Sequence, residues 1–432
     1  TITVDAAVDT TIVRGENNPE TLILSTTESS LKLGSQEADE DSPKIVFDGE
    51  KEKVEANNLK TNSLIIAEGN DIQLGKNVVI CNNVNNMSKY GGGLCVIHTT
   101  VGDPSKTDSG MLKLEGGVIE NCEAEDGGGI AVLNTNVEFG GDMIVRNNIG
   151  GGITITDLAS QQEYEEIRGM STKYTGKSNG ISFMIDEGGG ENQKTWGDGK
   201  GGFRSTTFTN ISIHGNKRIN GSSTDYGNSG SGGGIKAITT WGNATLTLGS
   251  GCKIYENYVD YDGGGVFMSD NDNDSDGGNM VKVQGANVYE NYTTHSNGYG
   301  GGVYVKGSFY MSSGKIYDNT APGKGGGVYR VNSSKNNGSY GYGTSTHSGG
   351  TIKNNTCKNG TTGGNNTYGL WASTFKYHGA VGSSYSTTSY TVQYLDTIPT
   401  PSCRYSGLGW ELYGWSTETT ATLKTTLTII LT

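Results

Sequence analysis

The segment Asp272-Asn273-Asp274-Ser275-Asp276-Gly277 carries the clearest ligand chemistry in the chain. Carboxylates at alternate positions ahead of a glycine converge on one hard cation in calcium loops. The position where such a loop places its bidentate glutamate holds Val283. Asp272, Asp274 and Asp276 therefore form half of a calcium site, completed by an adjoining segment or by water, and the competing expectation is a solvated acidic loop. Calcium is the one cofactor suggested. His214-Gly215-Asn216-Lys217-Arg218 is the nearest approach to an acid-base cluster, yet it coincides with an ordinary repeat position. Glycoside hydrolysis needs two carboxylates flanking one bond, and no motif here sets them out, so no catalytic residue is expected. The six cysteines, Cys81, Cys95, Cys122, Cys252, Cys357 and Cys403, include no CxxC pair of the kind zinc sites use. Disulfides and buried thiols both stay open for them.

Two sets of aromatic residues share a register. Tyr255, Tyr289 and Tyr317 each stand two residues before an asparagine, and Phe267, Tyr304 and Tyr329 each follow the branched residue after a triple glycine. If the flanking aliphatics point inward, strand alternation turns these rings outward. They form a candidate surface for carbohydrate or a protein partner. The plainer expectation is that like residues cover one another on parallel sheets.

Both sets hang on a repeat of two alternating patterns. One is a triple glycine and a branched residue, as in Gly127 to Ile130, Gly232 to Ile235, Gly263 to Val266 and Gly300 to Val303. The other is a branched residue with asparagine three positions on, giving Asn82, Asn121, Asn147, Asn216, Asn257, Asn291, Asn319 and Asn355. Runs such as Val303-Tyr304-Val305 alternate with period two, while helical periodicity is almost absent. The expected fold is all-β: a right-handed parallel β-helix (solenoid) with a small C-terminal β module. Each coil would contribute short strands stacked about 4.8 Å from their neighbours. Glycine allows a tight corner where backbones approach, and stacked asparagine amides bond along the axis as a corner ladder.

The paired motifs resemble the β-helical passenger regions of bacterial surface proteins, in particular the chlamydial-type polymorphic membrane proteins, whose repeats join GGA[ILV] to FxxN. The likeness spans about residues 78–370. Here GGG replaces GGA, and Ile or Val replaces Phe. The resemblance implies a surface or adhesive role. Tyr390 to Tyr394, Gly409-Trp410 and Gly414-Trp415 are similar to the small Listeria-Bacteroides surface repeat.

Three regions follow: residues 1–77 as N-terminal coils, 78–375 as the main β-helix with an excursion at 156–208, and 376–432 as the small C-terminal β module. Within the excursion, Asp157 to Arg168 reads as a capped helix. Seventy glycines among 432 residues, with only six prolines, fit neither collagen nor an ordinary globule. The net charge of -13 argues against nucleic acid as a partner. No apolar run is long enough to insert directly in a membrane. The chain opens at Thr1 without methionine, as after removal of an export leader. Sequons such as Asn243, Asn291 and Asn359 are no more than this composition would generate.

The expected function is an extracellular, non-enzymatic surface protein, either an adhesin or a structural subunit. Its expected partners are a carbohydrate or cell-surface ligand, or further copies of itself. Leu427, Ile429 and Leu431 fall on one face of an uncharged terminal strand that could pair end to end as an assembly strand. The alternative is a polysaccharide lyase or hydrolase on the same scaffold.

Overall fold

The computed structural model of the chain describes residues 2–14, 21–24, 30–68, 71–97, 112–157, 167, 205–219, 230–239, 244–270, 279–331, 343–358, 360–380 and 385–397. Strands dominate, and they are organised by sequence period. In one repeat the strands are Thr245–Leu248, Lys253–Tyr255, Tyr258–Val259 and Val266–Asp270. Each pairs in parallel with its counterpart in the next repeat, in the registers Leu246↔Val281, Ile254↔Val288, Tyr258↔Tyr292 and Val266↔Val303. The all-β expectation holds, with a long parallel sheet.

Register explains why the core is continuous. Phe47, Ile80, Ile119, Val145, Ile213, Ile254, Val288, Ile316 and Ile352 are consecutive register partners. All are buried in one apolar cluster with similar columns from the other strands, including Phe208, which stacks directly on Phe139 with ring centroids 4.7 Å apart. Each such aliphatic side chain contributes about 1.5–3 kcal/mol by leaving water, and the period of two sends its neighbours to the other face.

A second, smaller cluster lies on the opposite face of the strands that follow the glycine corners. It contains Ile66, Cys95, Ile97, Ala131 and Leu133, joined by Tyr90 and Ile167. Ile167 belongs to the excursion, so that insertion packs at least one apolar residue against the sheet. Of the segment expected to be helical, only Asp157 and Ile167 are among the described residues. The bounding strands Ile153–Thr156 and Ser205–Phe208 sit in the regular ladders. A short helix at Lys51–Ala56 was not anticipated; its apolar contact is the buried Val54.

Cys81, Cys122 and Cys252 are buried free thiols. Burial pushes Cys81 and Cys122 up to about 12, so both stay protonated and unreactive at neutral pH. After the last parallel pairing, Ala372–Ala380 and Tyr385–Gln393 form an antiparallel hairpin. The sequence boundary at 376 falls inside its first strand.

Candidate interaction surface

The inward asparagines form a single hydrogen-bonded column. Asn257 shows the unit: its backbone N–H and its Nδ2 both donate to Asn291 Oδ1, at 3.1 and 2.9 Å, and Nδ2 also donates to Ile213 O at 3.0 Å. Asn148, Asn216, Asn291 and Asn319 donate in the same way to Asn216, Asn257, Asn319 and Asn355. Asn216, Asn257, Asn291 and Asn319 are wholly buried, so every one of these bonds satisfies a group that would otherwise be costly. In every asparagine-to-asparagine bond the donor is the earlier residue and the acceptor the later one, while the second Nδ2 proton donates back to a carbonyl of the preceding repeat. The column is therefore polar, with acceptors facing one end and N–H groups the other.

Asn82, Asn121 and Asn147 are corrected by this geometry: they stand one residue outside the column. Register places Asn83, Cys122 and Asn148 at the inward position, because Ile80, Ile119 and Val145 are partners. Asn82, Asn121 and Asn147 instead occupy the bend with left-handed φ of 52, 54 and 55°. Glu256, Glu290 and Asp318 hold the same conformation in later repeats, at 53, 55 and 55°. At Cys122 the column continues through the backbone alone, N–H to Asn148 Oδ1 at 2.9 Å, while Sγ lies 4.0 Å from Ile80 O. At the acceptor end the buried Arg14 guanidinium donates from Nε and Nη2 to Asn83 Oδ1, at 3.2 and 3.0 Å.

The glycine corners and the asparagines are one device. At Gly263 φ is +67°, which favours glycine. At Gly265 a Cβ would stand 2.7 Å from Gly302 O and 3.0 Å from Asn291 Nδ2. The third glycine is thus required first by the backbone of the next repeat and then by the asparagine column packed against it.

Outward from this column, His214, Tyr255, Tyr289 and Tyr317 stack in parallel with centroids 4.6, 4.9 and 5.0 Å apart. Phe267, Tyr304, Tyr329 and Tyr368 stack likewise at 4.8, 5.4 and 5.3 Å, and Tyr299 lies 4.6 Å from Tyr329. Phe267 is buried. Because the rings stack along the repeat direction, each covers its neighbour's flat face. A sugar would meet ring edges and hydroxyls between repeats, rather than the open faces that stacking needs. Mutual cover is thus the first role of both columns. His214 takes part as a stacked ring; burial and then Arg146 hold its imidazolium below its ordinary range.

Three carboxylates that the sequence did not single out are electrostatically unusual. Asp126 is buried against Arg218 and Lys236, whose Nζ lies 2.7 Å away. Burial opposes its charge, but the two cations outweigh burial and keep it below the usual carboxylate range. Asp262 has the opposite balance: burial pushes it up to about 7, and only the Tyr299 N–H, 2.7 Å from Oδ1, opposes this. Asp396, at the end of the stack, is pushed up to about 6 by burial. Sequence offers one signal for the first two, since each directly precedes a triple glycine.

Lys217 and Arg218, the basic part of the His214 cluster, are thereby drawn into structure: Lys217 pairs with Tyr258 and Arg218 is buried. A cavity of about 470 Å³ opens beside Asn85, Ser88, Tyr90 and Glu125, with Lys89 Nζ 4.7 Å above the Tyr90 ring. Asn291 is wholly buried in the column, which withholds its sequon from modification in the folded chain. Asp272, Asp274 and Asp276 lie outside the described residues, as do Leu427, Ile429 and Leu431. Among the described residues no helix is long and apolar enough to cross a membrane. No protein-family model, no curated protein and no solved structure matches the chain.

Proposed function

We propose that the chain is a right-handed parallel β-helix, a solenoid with a small C-terminal β module, acting outside the cell as a non-enzymatic surface protein: an adhesin, or a structural subunit of an extracellular assembly. The observation that carries this reading is the continuous inward column of Asn148, Asn216, Asn257, Asn291, Asn319 and Asn355. It commits the interior of successive repeats to self-satisfying packing and leaves recognition to outward rows that recur once per repeat. Such rows suit an extended or repetitive partner, a polysaccharide or a further copy of the chain. Calcium at Asp272, Asp274 and Asp276, and end-to-end pairing through Leu427, Ile429 and Leu431, belong to the same proposal.

A turnover screen on acidic and neutral polysaccharides, run beside binding and sedimentation measurements, tests it. The expected result is retention of a glycan or self-association with no release of oligosaccharide. Product release that disappears when a single carboxylate is changed contradicts it.

One observation favours a second reading, a polysaccharide lyase or hydrolase on this scaffold. Asp262 is a carboxyl tuned to about 7 beside Tyr299, the range in which a general acid or base works. Loss of turnover in Asp262→Asn would establish that reading in place of the first.

A further inference from the structure

The donor end of the asparagine column cannot stop as it runs, because its last amides would be left without acceptors. Three residues from beyond the last regular asparagine close it: Asn366, Leu395 and Asp396. Asn366 stands where earlier corners have their third glycine, as its neighbour Thr367 pairs with Val328. Its Oδ1 accepts the Asn355 N–H and Nδ2 at 3.3 and 3.2 Å, so it serves as the next asparagine of the column from within the same repeat. Asn366 N–H then donates to Asp396 Oδ1 at 2.8 Å, and its Nδ2 to Leu395 O at 3.1 Å.

The closing segment is short, with Tyr394 packed against the core and its carbonyl accepting from the Thr367 hydroxyl. Tyr394 N–H donates to Trp371 O at 2.7 Å, its ring meets Trp371 edge-on at 4.6 Å, and its hydroxyl lies 3.3 Å from His347 Nδ1. Leu395 has a φ of 65°, a left-handed conformation that costs a branched residue free energy. Asp396 Oδ2 is buried with no hydrogen-bond partner. A carboxylate in that setting holds charge on an oxygen that no donor reaches, whereas protonation removes the charge and leaves only a neutral O–H unpaired, the smaller cost.

We propose that Tyr394–Asp396 is a proton-gated cap on the end of the parallel stack, closed when Asp396 is protonated and loosened when it is ionised. Around the cap stand Asn365, Asn366 and Thr367 of the last repeat, the ionisable ring of His347, and the Tyr394 phenol. Among the described residues no cation pairs with the carboxyl. Burial is the largest influence on Asp396 and raises it to about 6, against hydrogen bonds from Asn366 and Asn365. The closed cap holds its proton more tightly than the open one. Its stability is therefore full below the ordinary carboxylate range, near pH 4, and is lost as pH rises through about 6. Opening would uncover the donor end of the column, where a further strand could continue it.

Hydrogen exchange read by mass spectrometry on peptides spanning Asn365 to Leu370 tests this, with rates corrected for intrinsic base catalysis. Between pH 5 and pH 8 protection should fall about tenfold in the unchanged protein, with a matching change in Trp371 fluorescence. His347→Gln should show the same fall. Asp396→Asn keeps an acceptor without the charge and should be protected equally at both pH values, while Asp396→Ala should be open at both. A pH-independent unchanged protein, or a fall that persists in Asp396→Asn, overturns the proposal.

Discussion

Replacing Asn257 by alanine is the sharpest perturbation of the column. Asn257 loses its donations from Nδ2 to Asn291 Oδ1 and Ile213 O, at 2.9 and 3.0 Å, and its Oδ1 no longer accepts from Asn216 N–H and Nδ2, at 3.2 and 2.9 Å. Its own backbone N–H keeps Asn291. Four hydrogen bonds at about 1 kcal/mol each would disappear, and the buried Asn216 N–H would be left unsatisfied at a further 1–3 kcal/mol or so. Relaxation of neighbouring groups returns part of this, so the expected loss is about 3–6 kcal/mol. The neighbouring residue supplies the control: Glu256 is exposed with a φ of 53°, and Glu256→Gly should be neutral or stabilising by up to about 1 kcal/mol. Urea unfolding of both variants, followed by far-ultraviolet circular dichroism, measures the difference. A loss below about 1 kcal/mol for Asn257→Ala, or an equal loss for Glu256→Gly, refutes the reasoning.

Cys122→Asn should extend the column toward Asn83 and raise the urea midpoint by the equivalent of about 1–2 kcal/mol, because Ile80 O and Asn148 Oδ1 already stand where its amide would bond; an unchanged midpoint counts against it. Gly265→Ala should lower the melting temperature by several degrees, since the new Cβ would meet Gly302 O at 2.7 Å, and calorimetry reads this directly. Asp262 is raised to about 7, so its contribution is present below the ordinary carboxylate range and is lost as pH climbs through about 7. Over that window the melting temperature of the unchanged protein should fall relative to Asp262→Asn, and parallel curves would remove Asp262 as the cause.

The register of the repeats was legible wherever the outward neighbour is polar or aromatic. Around Ile254-Tyr255-Glu256-Asn257 alternation leaves one solution, and Asn216, Asn291, Asn319 and Asn355 follow the same rule. Around Val79-Ile80-Cys81-Asn82-Asn83 both faces are apolar and two asparagines adjoin. The pattern then fits two registers, and a one-residue slip exchanges the faces. The same ambiguity displaced Asn121 and Asn147. The ends of the column were not legible, because Arg14 and Asp396 reach it from remote parts of the chain and neither lies in a repeat motif. The aromatic columns were legible as rows, but the direction of stacking, which hides the ring faces, depends on three-dimensional geometry.

Distance across the stack tests the central claim most directly. Val79, Val118, Ile144, Ser212, Lys253, Asn287, Lys315 and Thr351 are consecutive register partners on the outward face. Spin labels at pairs of these positions, in a variant lacking the native cysteines, should lie farther apart by about 4.8 Å for each repeat between them. Backbone separations should then be about 24 Å for Val118 with Lys315 and about 34 Å for Val79 with Thr351, as pulsed dipolar spectroscopy can resolve. Separations that do not grow linearly with repeat number would contradict the stacked architecture and the surface function built on it.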